Sequence, residues 1–584
     1  MTQPPTTAPA KKMLSRNMIL AIVVIVILAI GVGAAVVLLR PAATPTITLW
    51  YNSTGHYGDT EPAVAQLVKA QIEATGKVTV NLQSEDWASY RADLAKGNLP
   101  MFLLGWYPDY FDTDDYISPF YSTSGAQSQG SFYSNATVDK WVTNESTTVD
   151  TTIRNSYFQK LQNQSATDVP YIPLWMTNAH VVYDSDISGV FLHPVVFKYF
   201  IMNKPGFDHI TVGTTDSPTS FDPALAYDYF SGEIINQVFD TLLVYSPTNG
   251  TLLPGLATQV PSVTNGGIGT DTNGNQTYTF DLRPGLKFTD GSSLNATTVK
   301  NAIQRVIRLN LAGSAEFLLE QVAQLGRTPT IDTPNCPGPC TRIVFHLNQP
   351  VGLFNEIMSF SVAAPVPWWY NQTGAQQDLV NNVVKVTGEG PYQLTSLTPN
   401  QQYVLTKNSG YYNSGLYASF GIPTIPILNK IIINRYSDSS SLKLAIQTHQ
   451  INMAYRTLNP TDLSSLQGSA ASLNLRVDIG TSPQIRFLVF NVKTVPFNDP
   501  NVRRAIAYAV DRNSIVTNVF HGFAVTLYSM VPPGFFGPDY SKPVFQTIYG
   551  SLPDIAKATS LLSNAKLAIG FYLFQANEIE RPWT

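Results

Sequence analysis

ITLWYNSTGHYGDTEPAVAQLVKAQIEATGKVTVNLQ, residues 47–83, changes its hydrophobic period twice. Residues 47–52 read as a strand. Over 61–76, Val64, Leu67, Val68 and Ile72 fall near helical spacing on one side, and Gly76 suits the end of that helix. Residues 77–83 return to strand character. The stretch is a β-α-β rhythm, and the apolar face of its helix is expected to pack on a sheet. Far along the chain, DPNVRRAIAYAVDRNSIVTNVF (499–520) repeats the helical half of the pattern. There Asp499 is placed to cap, Pro500 to open the first turn, and Ala505, Ile506, Ala509 and Val510 to form the buried side. Alternating runs such as TYTFDLRPGLKF and a capped helix beginning LNATTVK, with Asn295 as N-cap, lie between them. A mixed α/β chain with several lobes follows, large enough at 584 residues and 44% hydrophobic content to bury a sizeable core.

The charge balance excludes one function class. Net charge is -4 and no long Lys/Arg run occurs, so the electrostatic footprint of a nucleic-acid binder is missing. Charged residues make up 13% of the chain, about half the usual share. A surface polar through Ser, Thr, Asn, Gln and Tyr keeps its character in acid, which suggests an acidic exterior as the habitat. No nucleophile elbow, HExxH or paired catalytic motif stands out, so no enzyme is expected.

Residues 18–39, MILAIVVIVILAIGVGAAVVLL, carry no charge and would span about 33 Å as a helix, enough for a bilayer core. Lys11, Lys12 and Arg16 precede the run and only Arg40 follows closely, so residues 1–17 are expected to be cytoplasmic and the body beyond a 40–46 linker extracytoplasmic. A cleaved signal peptide is the alternative, although the run is long for one. Cys336 and Cys340 bracket Pro-Gly-Pro in NCPGPCTR. They read as a disulfide pinning a hairpin tip, or as a reduced pair in an exposed turn. Two thiols without a matching His cluster do not make a metal site, and no cofactor is implied.

From residue 208 to about 566 the chain resembles the start and middle of an extracellular solute-binding protein of family 5, the oligopeptide, dipeptide and nickel-binding group that serves ABC importers. The resemblance is carried in order by HITVGTTDSPTSFDPALAYD, LLPGLATQ, YTFDLRPGLKFTDGSSLNATTVK, GEGPYQL, NKIIINRYSDSSSLKLAI, FNVKTVPFNDPNVRRAIAYAVDR and DIAKATSLLSNA. The family's usual Gly-Glu-Ile-Asp is replaced by His449, Gln450, Ile451 and Asn452. What should follow DIAKATSLLSNA stands at the other end of the chain, as GWYPDYFDTDDYISPFY, YSNATVDKWV, RNSYFQKLQNQ and VPYIPLW within residues 46–196. The order resembles a circular permutation, with the old ends joined near FKYFIMNKPGFDH and the missing beginning of the 46–196 lobe found at 485–566.

The resemblance implies a two-lobed α/β clamp with an extra domain. One lobe would comprise 46–196 and 485–566, the other 197–240 and 386–484, and the extra domain 241–385, leaving 567–584 unplaced. Crossing strands would join the lobes, and a peptide or other small solute would lie between them for delivery to ABC permease subunits. A sugar or nickel cargo, or a structural or adhesive surface role, remains as an alternative. In peptide-binding relatives the carboxylate at the Asp109 position pairs with the ligand's α-ammonium. Trp106 would be a cleft wall or simply a core tryptophan. Leu103 stands where some relatives have an arginine. Asp112, Asp114 and Asp115 lack EF-hand spacing and are expected to form a solvated face or a helix cap.

Overall fold

The computed structural model describes residues 44–53, 60–148, 150–193, 195, 197–534, 536 and 540–565. The expected cytoplasmic segment 1–17, the apolar run 18–39 and the tail 567–584 lie outside the described residues. Among the described residues no helix is long and apolar enough to cross a membrane.

One mixed sheet of eleven strands organises most of the chain. In chain order they are β1 (Thr46–Asn52), β2 (Thr79–Glu85), β3 (Met101–Trp106), β4 (Tyr171–Asp184), β5 (His209–Thr214), β6 (Tyr392–Thr398), β7 (Gln402–Lys407), β8 (Lys430–Arg435), β9 (Met453–Tyr455), β10 (Leu475–Phe490) and β11 (Ala524–Thr526). They run β6-β7-β8-β5-β9-β4-β10-β3-β1-β2 across the sheet, with β11 beside β4. The opening stretch folds as its periods predict. β1 and β2 pair in parallel, from Thr46 with Thr79 to Asn52 with Glu85. Helix α1 (Glu61–Glu73) connects them and buries Val64, Ala65, Val68 and Ile72. Gly76 stands just beyond it with φ +65°, a conformation open to glycine without a Cβ clash.

The long strands β4 and β10 belong to both halves of the sheet. Their outer halves pair with each other from Leu475–Asp184 to Thr481–Asn178, next to β9. Their inner halves pair again from Ile485–Met176 to Val489–Tyr171, next to β3 and β11. The register slips between Thr481 and Ile485, so the double strand passes from one half to the other there. Residues 178–184 thus pair with the far half, although they fall inside the range 46–196 expected to lie in one lobe. A strand long enough to cross between lobes cannot be assigned to either from sequence order alone.

Cores form on each side of this passage. Ile47, Leu49, Val68 and Ile72 share one with Leu488, Phe490, Val502 and Ile506, so segments near the beginning and end of the described chain build a single core. Val502 and Ile506 belong to α4 (Pro500–Ala509), capped by Asp499 as expected. A second core gathers Ile210, Val212, Ile431, Ile433 and Met453 with α2 (Tyr229–Val238). The third surrounds a four-stranded sheet over Ile268–Thr270, Gln276–Asp281, Thr330–Asp332 and Arg342–His346, covered by α3 (Ala296–Leu309). Asn295 caps α3 with a reciprocal capping box, and Cys336 and Cys340 are bonded in the loop between two of the strands. His449, which stands where the resemblance leads one to expect glycine, adopts φ +53° and its ring bonds Asp184 at 2.7 Å, while Asn452 donates to the same carboxylate.

A fully buried ion pair fastens α3 to the segment that leads into α2. Arg305 donates from Nη1 to Asp222 Oδ1 (2.9 Å) and from Nη2 to Oδ2 (2.6 Å), and its Nε donates to the Asn371 carbonyl. Asp222→Ala strands a guanidinium that is only 1% exposed and should cost about 3–5 kcal/mol. Urea unfolding should show the midpoint falling accordingly, whereas the double replacement Arg305→Met with Asp222→Leu should recover much of the loss.

Candidate functional site

β3 ends at Trp106, opposite Ile485 of β10, and the chain then turns through Tyr107-Pro-Asp-Tyr-Phe-Asp-Thr-Asp-Asp115. Trp106 is half-buried. Its ring stands edge-on to Phe120 at 5.3 Å, and its Nε1 donates to Asp115 Oδ2 at 3.2 Å. The Asp109 amide donates to the same Asp115 oxygen at 2.8 Å. Tyr116 donates to the Pro483 carbonyl, inside the register slip of β10, which ties the loop to the crossing strands.

The other side of the seam comes from the 215–229 segment. Asp228 caps α2 and so fixes Tyr229 in its first turn, two residues beyond Tyr227. The Tyr227 hydroxyl donates to Asp109 Oδ2 at 2.8 Å. The Tyr229 ring meets Tyr107 edge-on at 4.8 Å and its hydroxyl lies 2.5 Å from that of Tyr455. The third core also engages the loop. Tyr110 is buried in it, and the Phe111 amide donates to the Tyr245 hydroxyl. A Cβ on Gly250 would lie 2.0 Å from Phe111 Cδ1, so the close approach of these segments requires glycine there.

The electrostatics of the loop follow from its burial. Asp109 is 5% exposed, and desolvation pushes its carboxyl up to about 7 against the pull of the Tyr227 hydrogen bond. Asp115 is raised well above the usual range by burial and then by the Asp109 charge. The expected solvated face is corrected here: Asp114 and Asp115 are buried, because the short turn 113–116 lies beneath the seam. The capping alternative describes Asp112, which accepts the Asp114 amide and forms a two-toothed ion pair with Arg154. Among the described residues no cluster of His, Cys, Asp and Glu could hold a metal ion. Leu103 is a buried partner of Leu488 and brings no charge to the seam.

Asp109 and Trp106 thus stand in one loop, joined through Asp115. Tyr107, Tyr227, Tyr229, Tyr455 and Arg456 complete the seam, and sequence reasoning missed them. Their only signal is the abundance of tyrosine, 29 residues in the chain, which says nothing about which rings meet. A separate depression of about 340 Å³ lies on α3 beside the disulfide and the exposed Trp368, away from this seam.

The sequence profile of the bacterial extracellular solute-binding proteins, family 5 Middle, matches residues 37–128 and 251–582. The chain belongs to that family, whose members bind solutes and are not enzymes. The match reaches into the tail that the sequence reading left unplaced. The chain is 28% identical over 299 residues to the glutathione-binding protein GsiB of Salmonella typhi, covering 50% of this chain and 51% of that one. It is 25% identical over 367 residues to GsiB of Escherichia coli, covering 62% of each. The chain thus spans about half to three-fifths of the length of these curated relatives. Among solved structures, Burkholderia pseudomallei OppA is similar over 62% of this chain and 67% of its own, with 17% identity and a TM-score of 0.43. The Escherichia coli murein tripeptide binding protein MppA has the same coverage, 18% identity and a TM-score of 0.45.

Burial also sets the pH response. Asp109, Glu233 and Glu356 are raised to about 7 and Asp240 and Asp378 to about 6, in each case chiefly by desolvation. The folded chain holds these protons more tightly than the unfolded one, whose carboxyls titrate near pH 4. Their contribution is complete below about pH 4 and is lost as pH rises through about 7. His180, lowered to about 4 by burial, and His193, also lowered by burial, oppose the trend but are fewer. Urea midpoints should therefore decline from about pH 4 to about pH 7, and Asp109→Asn should make that decline shallower.

Proposed function

We propose that the chain is the extracytoplasmic solute-binding component of an ABC importer and that it captures peptides at the seam between the two lobes, with Asp109 holding the ligand's α-ammonium and Trp106 backing the wall. The single observation that carries this is the pairing of a desolvated carboxylate in one lobe with a tyrosine hydroxyl of the other. A buried carboxylate whose charge is disfavoured gains most from an incoming cation, and it sits where lobe closure would exclude water. Family membership and the curated relatives named as glutathione-binding proteins support a peptide over a sugar. The apolar run 18–39 would anchor the body to the membrane.

The circular order belongs to the same proposal. The family profile matches on both flanks of 129–250, and the proposed join of the old ends at 197–209 falls inside that unmatched stretch. Residues 46–106 and 485–510 share one core, as the rearranged order requires. A chain recut to begin at His209, with residue 565 linked to residue 46 and its end at Asn203, should melt cooperatively and bind the same ligands. A recut chain that stays unfolded would count against the permutation.

For Asp109, binding an ammonium should lower the raised carboxyl and release a proton. Calorimetry near pH 6 should show an enthalpy that varies with the buffer's ionisation heat as a proton is released, and that dependence should reverse sign above about pH 8, where the peptide's amine must take up a proton to bind. Asp109→Asn should weaken a free peptide by roughly 30-fold or more and leave an N-acetylated peptide almost unaffected. Equal binding of free and acetylated peptides by the parent would remove Asp109 from the role.

A further inference from the structure

The sequence holds eight Asn-x-Ser/Thr triplets, the acceptor pattern for N-linked sugars, and the fold sorts them. Asn52 is buried in β1, and Asn135, Asn275 and Asn295 are partly covered. Asn144 and Asn163 are exposed but lie inside the helices Ala136–Thr147 and Thr151–Asp168. Residues two apart on a helix point to different sides, so the serine hydroxyl of those triplets is turned away from its asparagine. Asn249 and Asn371 remain, each exposed and outside helix and strand.

At Asn371 the acceptor geometry is already made. Thr373 donates to Asn371 Oδ1 from its amide at 3.0 Å and from its hydroxyl at 3.1 Å. Both bonds draw charge onto the oxygen and make the Nδ2 hydrogens more acidic. Nδ2 donates to the Ala375 carbonyl at 3.1 Å, which uses one of its two hydrogens. The turn is held against α3, because Arg305 Nε donates to the Asn371 carbonyl at 2.7 Å and Arg308 donates to Gln372 Oε1 at 2.8 Å.

Trp368, three residues earlier, is 80% exposed, the highest value of any large apolar side chain among the described residues. Three residues of chain span at most about 11 Å, within reach of an asparagine side chain that carries a sugar. Trp368 and Gln372, on either side of Asn371 in the chain, both border the depression of about 340 Å³ on α3, and Asn295 and Asn301 bring amides to it. The face of an indole suits the C–H side of a pyranose ring, while amides beside it suit the ring's hydroxyls.

We propose that Asn371 is glycosylated and that the attached saccharide folds back over Trp368 into this depression. Nδ2 attacks the anomeric carbon of a polyprenyl-diphosphate-linked saccharide. The N–C1 bond forms as the C1–O bond to phosphate breaks, the diphosphate leaves with the electron pair, and one Nδ2 proton passes to a base of the transferring enzyme. The other N–H stays on Ala375. The inference rests on the extracytoplasmic placement of the body and is independent of Asp109.

Mass spectrometry of the peptide bearing Asn371, from the full chain purified out of its native envelope, tests it. Asn371 should carry added mass made of hexose or N-acetylhexosamine units. Asn371→Gln and Thr373→Ala, expressed in the same host, should each lose that mass, and Thr373→Ser should keep it. Iodide quenching of tryptophan emission reads the cover on Trp368. Trp368→Phe should remove quenchable emission from the Asn371→Gln chain and leave that of the sugar-bearing parent almost unchanged. A modified Asn371 with Trp368 equally quenched in both chains overturns the folding back of the saccharide. Intact cells are labelled in parallel with a membrane-impermeant amine reagent. A labelled chain with Asn371 bare overturns the glycosylation and leaves the extracytoplasmic reading standing, whereas a chain neither labelled nor modified overturns both.

Discussion

The pairing of β4 with β10 is the constraint on which the rest of the molecule depends. These are the strands that run through both halves of the sheet, and each half closes its own core against them. The register slip between Thr481 and Ile485 lets one double strand serve two differently twisted halves. It also places the polar residues Thr177 and Gln484, which bond each other at 3.0 Å, between two apolar cores. Segments carrying seam residues leave the sheet close to this point: Trp106 opposite Ile485, Arg456 beside His180, and Tyr116 bonded to Pro483.

Two demands on Asp109 pull against each other. Folding is favoured when it is protonated, because the folded chain offers it little water; the proposed capture of an ammonium would need it ionised. A buried charged contact worth about 2–5 kcal/mol would draw that carboxyl back toward the ordinary carboxylate range. In the proposed complex the ligand would itself supply the charge state that burial disfavours. An exterior only mildly acidic suits both demands, and a strongly acidic one would favour the folded chain over the complex.

Much of the scaffold was legible in the sequence because it rests on local rules. The β-α-β unit at 46–85, the caps at Asp499 and Asn295 and the bonded cysteines follow from period, short-range hydrogen bonding and spacing, and all are present. Residues of 46–106 and 485–510 share one apolar core, a contact between distant segments that local sequence rules do not specify. Burial of Asp114 and Asp115 was not legible, since a run of acidic residues looks solvated until a long-range partner covers it. The tyrosine seam was equally hidden. Tyr107, Tyr229 and Tyr455 come from three distant segments, and nothing in their local sequence sets them apart from the other tyrosines.

The burial of Tyr110 reaches beyond the static picture. Its ring is 2% exposed and packed among residues of the third core, yet it belongs to the loop that carries Asp109. Drawing the lobes apart by moving that loop extracts the ring from an apolar setting, at a cost of about 2 kcal/mol. At 1.4 kcal/mol per tenfold, this one side chain holds the open form to a few per cent relative to a chain without it. If a ligand is captured at this seam as proposed, its entry would be slowed by that fraction and so would its escape. Tyr110 would in this sense be a latch, lengthening residence without touching the ligand.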